Sequence, residues 1–85
     1  MVEFKHIVKS SVGLHARPAG LIASTSKKFE SKVSIYFEGN EADGKRLLSI
    51  MALGAKCGAE LRFEIEGADE KEAQEALCIL CQEKV

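Results

Sequence analysis

The sequence has no surplus of basic charge and no long apolar run, and each absence removes a class of protein. Twelve Lys and Arg against thirteen Asp and Glu leave a formal net charge of −1, so the electrostatic footprint of a nucleic-acid binder is missing. No apolar run approaches the ~18 residues of a membrane-spanning helix. The start, Met1-Val2-Glu3-Phe4-Lys5, lacks the apolar stretch of a secretory signal, and the expected location is the cytoplasm. Cysteines stand only at 57, 78 and 81; an odd count cannot pair off completely and, without a secretion signal, fits reduced thiols. Repeats, linkers and low-complexity stretches are also absent. What remains is 85 residues, 46% hydrophobic and 29% charged, the composition of one small globular domain, 1–85, with room for a modest core.

The one proline, Pro18, stands in Gly13-Leu14-His15-Ala16-Arg17-Pro18-Ala19. Proline suits the first helical turn, where its fixed φ fits and its missing N–H loses no bond, so a helix is expected to begin near Ala16. His15 then sits at the N-cap. The first amides of a helix have no internal partner and carry the positive end of the dipole, so an anion on His15 would meet backbone N–H groups of Ala16 and Arg17. The Arg17 side chain adds a forked, permanently charged donor. A largely neutral imidazole can form a phosphoramidate and pass its phosphoryl group onward, and Gly13 permits the backbone angles that fold the loop back under the site. A proline-marked helix start beside an arginine also occurs without any chemistry, and the heptapeptide's physics alone leaves both readings open.

Periodicity orders the rest as β-α-β-β-α-β-α. Val2–Lys9 reads as a strand, with Phe4, His6 and Val8 on one face. Ala19, Ile22, Ala23, Ser26 and Phe29 make an apolar stripe on a helix over Ala16–Phe29, which Gly20 weakens by about 1 kcal/mol relative to alanine. Val33, Ile35 and Phe37 alternate before a turn at Gly39-Asn40 and a return strand near Glu41–Asp43. Leu47–Leu53 forms a short helix closed by Gly54. Glu60–Glu66 is a half-buried strand presenting Leu61, Phe63 and Ile65 inward. Asp69 then offers an N-cap, with Glu72 three residues on, to a last helix lined by Ala73, Ala76, Leu77 and Leu80. The fold class is α+β, a two-layer sandwich of a four-stranded antiparallel sheet with three helices on one face.

G-L-H-A-R-P-A, S-I-M-A-L-G at Ser49–Gly54, G-A-E-L at Gly58–Leu61 and G-A-D-E at Gly67–Glu70 occur in this order. In that combination the chain resembles the HPr family, the histidine phosphocarriers of the bacterial sugar phosphotransferase system. The resemblance implies an open-faced β-sandwich and a carrier that is not an enzyme in its own right. It implies that enzyme I phosphorylates His15 on Nδ1 and that IIA domains of sugar permeases receive the group. It also makes the short second helix the docking face, with Leu47, Leu48 and Met51 left outward if Ile50 and Leu53 turn inward. Ser24, Lys27 and Lys28 could add a polar rim. Neither cofactor nor metal is implied, and the carrier is expected to be a monomer. Two related readings are a carrier of a regulatory, nitrogen-related branch and a regulator that binds a transcription factor through Leu47–Met51.

Three positions depart from the family pattern. Gram-positive members carry a kinase-targeted serine where Arg46 stands, and a positive charge cannot mimic phosphoserine; Ser49 lies one turn later. Val12 replaces a small polar residue that can orient the imidazole, leaving His15 to the backbone or to Ser11. His6 lies in phase with core positions and has no second ligand at metal-binding spacing. Cys78-Ile79-Leu80-Cys81 is a C-x-x-C pair near a helix C-terminus, where the dipole opposes thiolates, so core filling is expected over redox or zinc chemistry.

Overall fold

Strict alternation writes the sheet. In β4, Glu60–Glu66, the side chains of Leu61, Phe63 and Ile65 are fully buried while the polar residues between them face outward. Each such burial contributes about 1.5–3 kcal/mol. The computed structural model describes residues Met1–Val85. Before β4 come β1 (Val2–Ile7), α1 (Ala16–Ser26), β2 (Lys32–Phe37), β3 (Asn40–Asp43) and α2 (Leu47–Met51); α3 (Glu70–Lys84) follows it. The four strands form one antiparallel sheet in the order β1-β4-β2-β3. The three helices lie on one face, making the open α+β sandwich expected from the sequence.

β4 is the spine. It pairs with β1 through Phe4↔Phe63 and with β2 through Ile35↔Phe63, and the Phe4 and Phe63 rings stack at 4.6 Å. Eighteen buried residues form a single apolar cluster beneath the helices, among them Ala19, Ile22, Ile50, Ala73, Leu77 and Cys81. The opposite face stays polar: the Arg62 guanidinium lies 4.4 Å from the centre of the Tyr36 ring and pairs with Glu3 and Glu64.

Several boundaries and caps differ from the sequence reading. β1 ends at Ile7, although Val8 continues the buried phase. α1 stops at Ser26, and Phe29 packs against the core from the turn that follows. α2 ends at Met51, before the Leu53 expected. The hairpin turn is Glu38-Gly39, one residue earlier than Gly39-Asn40, because Phe37 pairs with Asn40. Both turn residues have positive φ, 49° and 82°, the geometry of a type I′ turn whose twist matches its strands.

The expected capping box at α3 does not form. The Asp69 side chain makes no cap bond; it accepts hydrogen bonds from the Glu30 and Ser31 amides, 2.9 Å each, and from the Ser31 hydroxyl. Those bonds hold its carboxyl below its ordinary pKa, the Ser31 hydroxyl contributing most. Glu70, not Glu72, reaches back to the Gly67 amide at 3.1 Å. Asp69 thus ties the end of the α1–β2 connection to the start of α3.

Candidate functional site

The loop from β1 to α1 is folded by its own backbone. Gly13 has φ +72°, a region glycine enters without cost, and a Cβ there would lie 2.5 Å from the Ala55 carbonyl oxygen. The loop presses on the 55–56 segment, and the Leu14 amide donates to that same Ala55 oxygen at 2.9 Å. The Gly13 amide donates to Ser10 and the His15 amide to Gly13, both at 3.0 Å. His15 emerges as the N-cap of α1 in extended conformation, φ −94°, and its imidazole makes no cap bond.

The first turn of α1 leaves two amides without a backbone partner. The Ala19 amide donates to the His15 carbonyl at 3.1 Å, whereas the Ala16 and Arg17 amides enter no backbone hydrogen bond. Pro18 is buried in the first turn and has no amide to satisfy. Ser10, His15, Arg17, Pro18, Leu21 and Lys84 line one cleft of about 560 Å³. His15, Arg17 and Pro18 thus line one cleft, while Ala16, between His15 and Arg17, is not part of its lining. Val12 is 70% exposed and, with Ser11, lies outside the cleft lining. The hydroxyl at the cleft belongs to Ser10, not Ser11.

Ser10 and Lys84 line this cleft although the sequence reading did not single them out. The segment after β1 carries Ser10, and α3 ends beside it because the Val85 backbone oxygen accepts the Lys9 and Ser10 amides at 2.8 and 3.3 Å. Lys9 Nζ also donates to the Gln82 carbonyl at 3.2 Å. That Lys84 lines the same cleft as His15 follows only from tertiary packing.

α2 gives a second surface. Ile50 and Leu53 turn inward; Leu48 is 77% and Leu47 38% exposed. Met51 is half-buried against the core, not outward as the periodicity suggested, because so short a helix lies flat on the cluster. Lys27, Lys45, Arg46, Leu47, Leu48 and Ser49 line one shallow cleft, so Lys27 and the leucines share a surface while the exposed Ser24 stands outside that lining. The Ser49 hydroxyl is engaged, accepting the Asp43 amide at 2.8 Å.

The remaining candidates are structural. His6 is 9% exposed with Nε2 buried and unpartnered, and burial lowers its pKa. No group of three or more His, Cys, Asp or Glu side chains is arranged to hold a metal. Cys81 is buried, its thiol pushed up to about 12 by desolvation; Cys78 is half-buried and raised for the same reason, and Cys57 is exposed. No helix is long and apolar enough to cross a membrane.

Fold and site together define a small α+β domain whose first helix is N-capped by a histidine beside two amides without backbone partners. The family model described as the PTS HPr component phosphorylation site matches residues 2–83. The phosphocarrier protein HPr of Treponema pallidum (strain Nichols) is 38% identical over 77 residues, 91% of this chain and 88% of its own length. The crystal structure of HPr-C-His from Thermoanaerobacter tengcongensis superposes with a TM-score of 0.91 at 36% identity, covering 96% of this chain and 92% of that one. An HPr dimer from the same organism matches with a TM-score of 0.79 at 37% identity over 99% and 97% of the two chains. The chain belongs to the HPr family, the phosphocarrier proteins of the phosphotransferase system.

Proposed function

We propose that His15 is the phosphoacceptor, charged by enzyme I from phosphoenolpyruvate and discharged to IIA domains of sugar permeases. The observation that carries this reading is the pair of uncommitted amides, Ala16 and Arg17, at the helix start that His15 caps. A ring nitrogen, Nδ1 by family likeness, supplies its lone pair to phosphorus while the donor's bond to phosphorus breaks and that pair leaves with the donor. The two amides and the Arg17 guanidinium receive the phosphoryl oxygens and the charge gathered in the in-line transfer. Transfer to the next protein repeats the step with His15 as leaving group, so the chain turns over no small substrate.

Leu47 and Leu48, backed by Met51 and rimmed by Lys27 and Ser24, form the face on which donor and acceptor dock. An exposed leucine pair flanked by cations supports that role. The carrier works as a cytoplasmic monomer made of one domain, 1–85, without a cofactor. A paralogous, nitrogen-related carrier would share the His15 chemistry and differ in the enzyme I it prefers, which competition between two enzyme I proteins resolves. Incubation with enzyme I and phosphoenolpyruvate tests the reading: the wild type gains one acid-labile phosphate and His15→Ala gains none. A wild type that stays unlabelled, or a labelled His15→Ala, sinks it.

A further inference from the structure

We propose that Lys84 is a second side-chain cation of the phosphoryl site, acting with Arg17 to draw the phosphoryl group onto His15; this rests on the phosphoacceptor reading of His15. Arg17 and Lys84 line the same cleft as His15 and Ser10, and no carboxylate side chain lines it with them. Neither cation enters an ion pair, since the three pairs in the protein join the N-terminal amine to Glu70 and Arg62 to Glu3 and Glu64.

Lys84 is held at the cleft, although it comes from the far end of the chain. Val85 is buried at 2% exposure, its backbone oxygen accepts the Lys9 and Ser10 amides, and Lys9 Nζ donates to the Gln82 carbonyl. The last turn of α3 is therefore fastened to the strand end that leads into the His15 loop. At roughly 6 Å and water-like dielectric, one added positive charge favours a phosphoryl dianion by about tenfold, and salt reduces this. The competing role of Lys84 is to complement the negative end of the α3 dipole, which changes stability but not the rate at which His15 takes phosphate.

A small donor separates the cleft from the docking face. With phosphoramidate, the donor P–N bond breaks, ammonia leaves with its electron pair, and the His15 ring nitrogen forms the new P–N bond. Rate constants are measured for the folded wild type, Lys84→Gln, Lys84→Arg and Lys71→Gln, at low and high salt, with urea midpoints measured alongside. We expect Lys84→Gln to react three- to tenfold more slowly at low salt, with the gap narrowing at high salt. Lys84→Arg should restore the rate, and Lys71→Gln, which removes the same charge at the other end of α3, should leave it unchanged. Equal rates for Lys84→Gln and the wild type, or equal slowing by Lys71→Gln, overturn the role of Lys84 and leave the phosphoacceptor reading standing. A wild type that takes phosphate neither from phosphoramidate nor from phosphorylated enzyme I overturns both.

Discussion

Replacing Gly13 by alanine should damage this protein far more than replacing a glycine of equal backbone geometry elsewhere. Gly13 and Gly54 have nearly the same φ, +72° and +67°, but a Cβ at Gly54 meets nothing within 4 Å, whereas at Gly13 it would lie 2.5 Å from the Ala55 oxygen and 2.8 Å from the Lys56 Cα. Gly54→Ala therefore costs only the left-handed backbone strain, about 1–2 kcal/mol. Gly13→Ala carries that strain and adds overpacking of about 1–3 kcal/mol, because the obstacle is backbone and cannot swing aside. The total is about 2–5 kcal/mol, and part of it arises because the Ala55 oxygen also receives the Leu14 amide. Urea unfolding followed by circular dichroism measures both variants, and labelling by enzyme I reports whether His15 has moved. Equal losses for the two variants, within about 0.5 kcal/mol, would refute the claim that the loop is pinned against the 55–56 segment.

Further outcomes follow from the turn, the thiols and the buried imidazole. Glu38→Asn should raise stability by about 0.5–1 kcal/mol, seen as a higher thermal midpoint, because asparagine tolerates the left-handed region that Glu38 occupies at φ 49°. Iodoacetamide under native conditions should modify Cys57 first and Cys78 more slowly, with Cys81 reacting only in urea; mass spectrometry reads the order, which exposure and the raised thiols set. Burial lowers the His6 pKa from 6.5, so the folded state resists protonation there. The stability this protects is complete above that value and is lost as pH falls below it toward the folded pKa. The urea midpoint should drop between pH 8 and 5 in the wild type and drop less in His6→Leu; parallel curves would contradict the assignment.

The sheet and the helix carrying His15 could be read from the sequence because both are written locally. β4 alternates without a break, and Pro18 marks the start of α1 to within two residues. The misses at the caps and around the site share one cause, packing that local pattern does not record. Asp69 looks like an N-cap until Glu30 and Ser31, 39 and 38 residues away, claim its oxygens. Met51 reads as outward on a helical wheel, yet α2 spans only five residues and its side chain rests on the core. Ser11 is closer to His15 than Ser10 in sequence, but the loop returns Ser10 to the cleft. Lys84 could not be found without knowing where α3 ends.

The fastening of α3's last turn to Lys9 and Ser10 also separates two kinds of opening. The bonds that fasten this turn lie at the end of a helix, and the buried cluster beneath does not depend on all of them. Fraying of that turn can release Lys84 while the sheet stays intact, at a free energy well below that of global unfolding. The amide protons of Lys9 and Ser10 are the natural reporters: they should exchange with solvent sooner than those of β4. Occupancy of the cleft by an anion should slow them selectively. The readiness of the site to hold a phosphoryl group would then be set by a local equilibrium that mutation can tune without altering the fold.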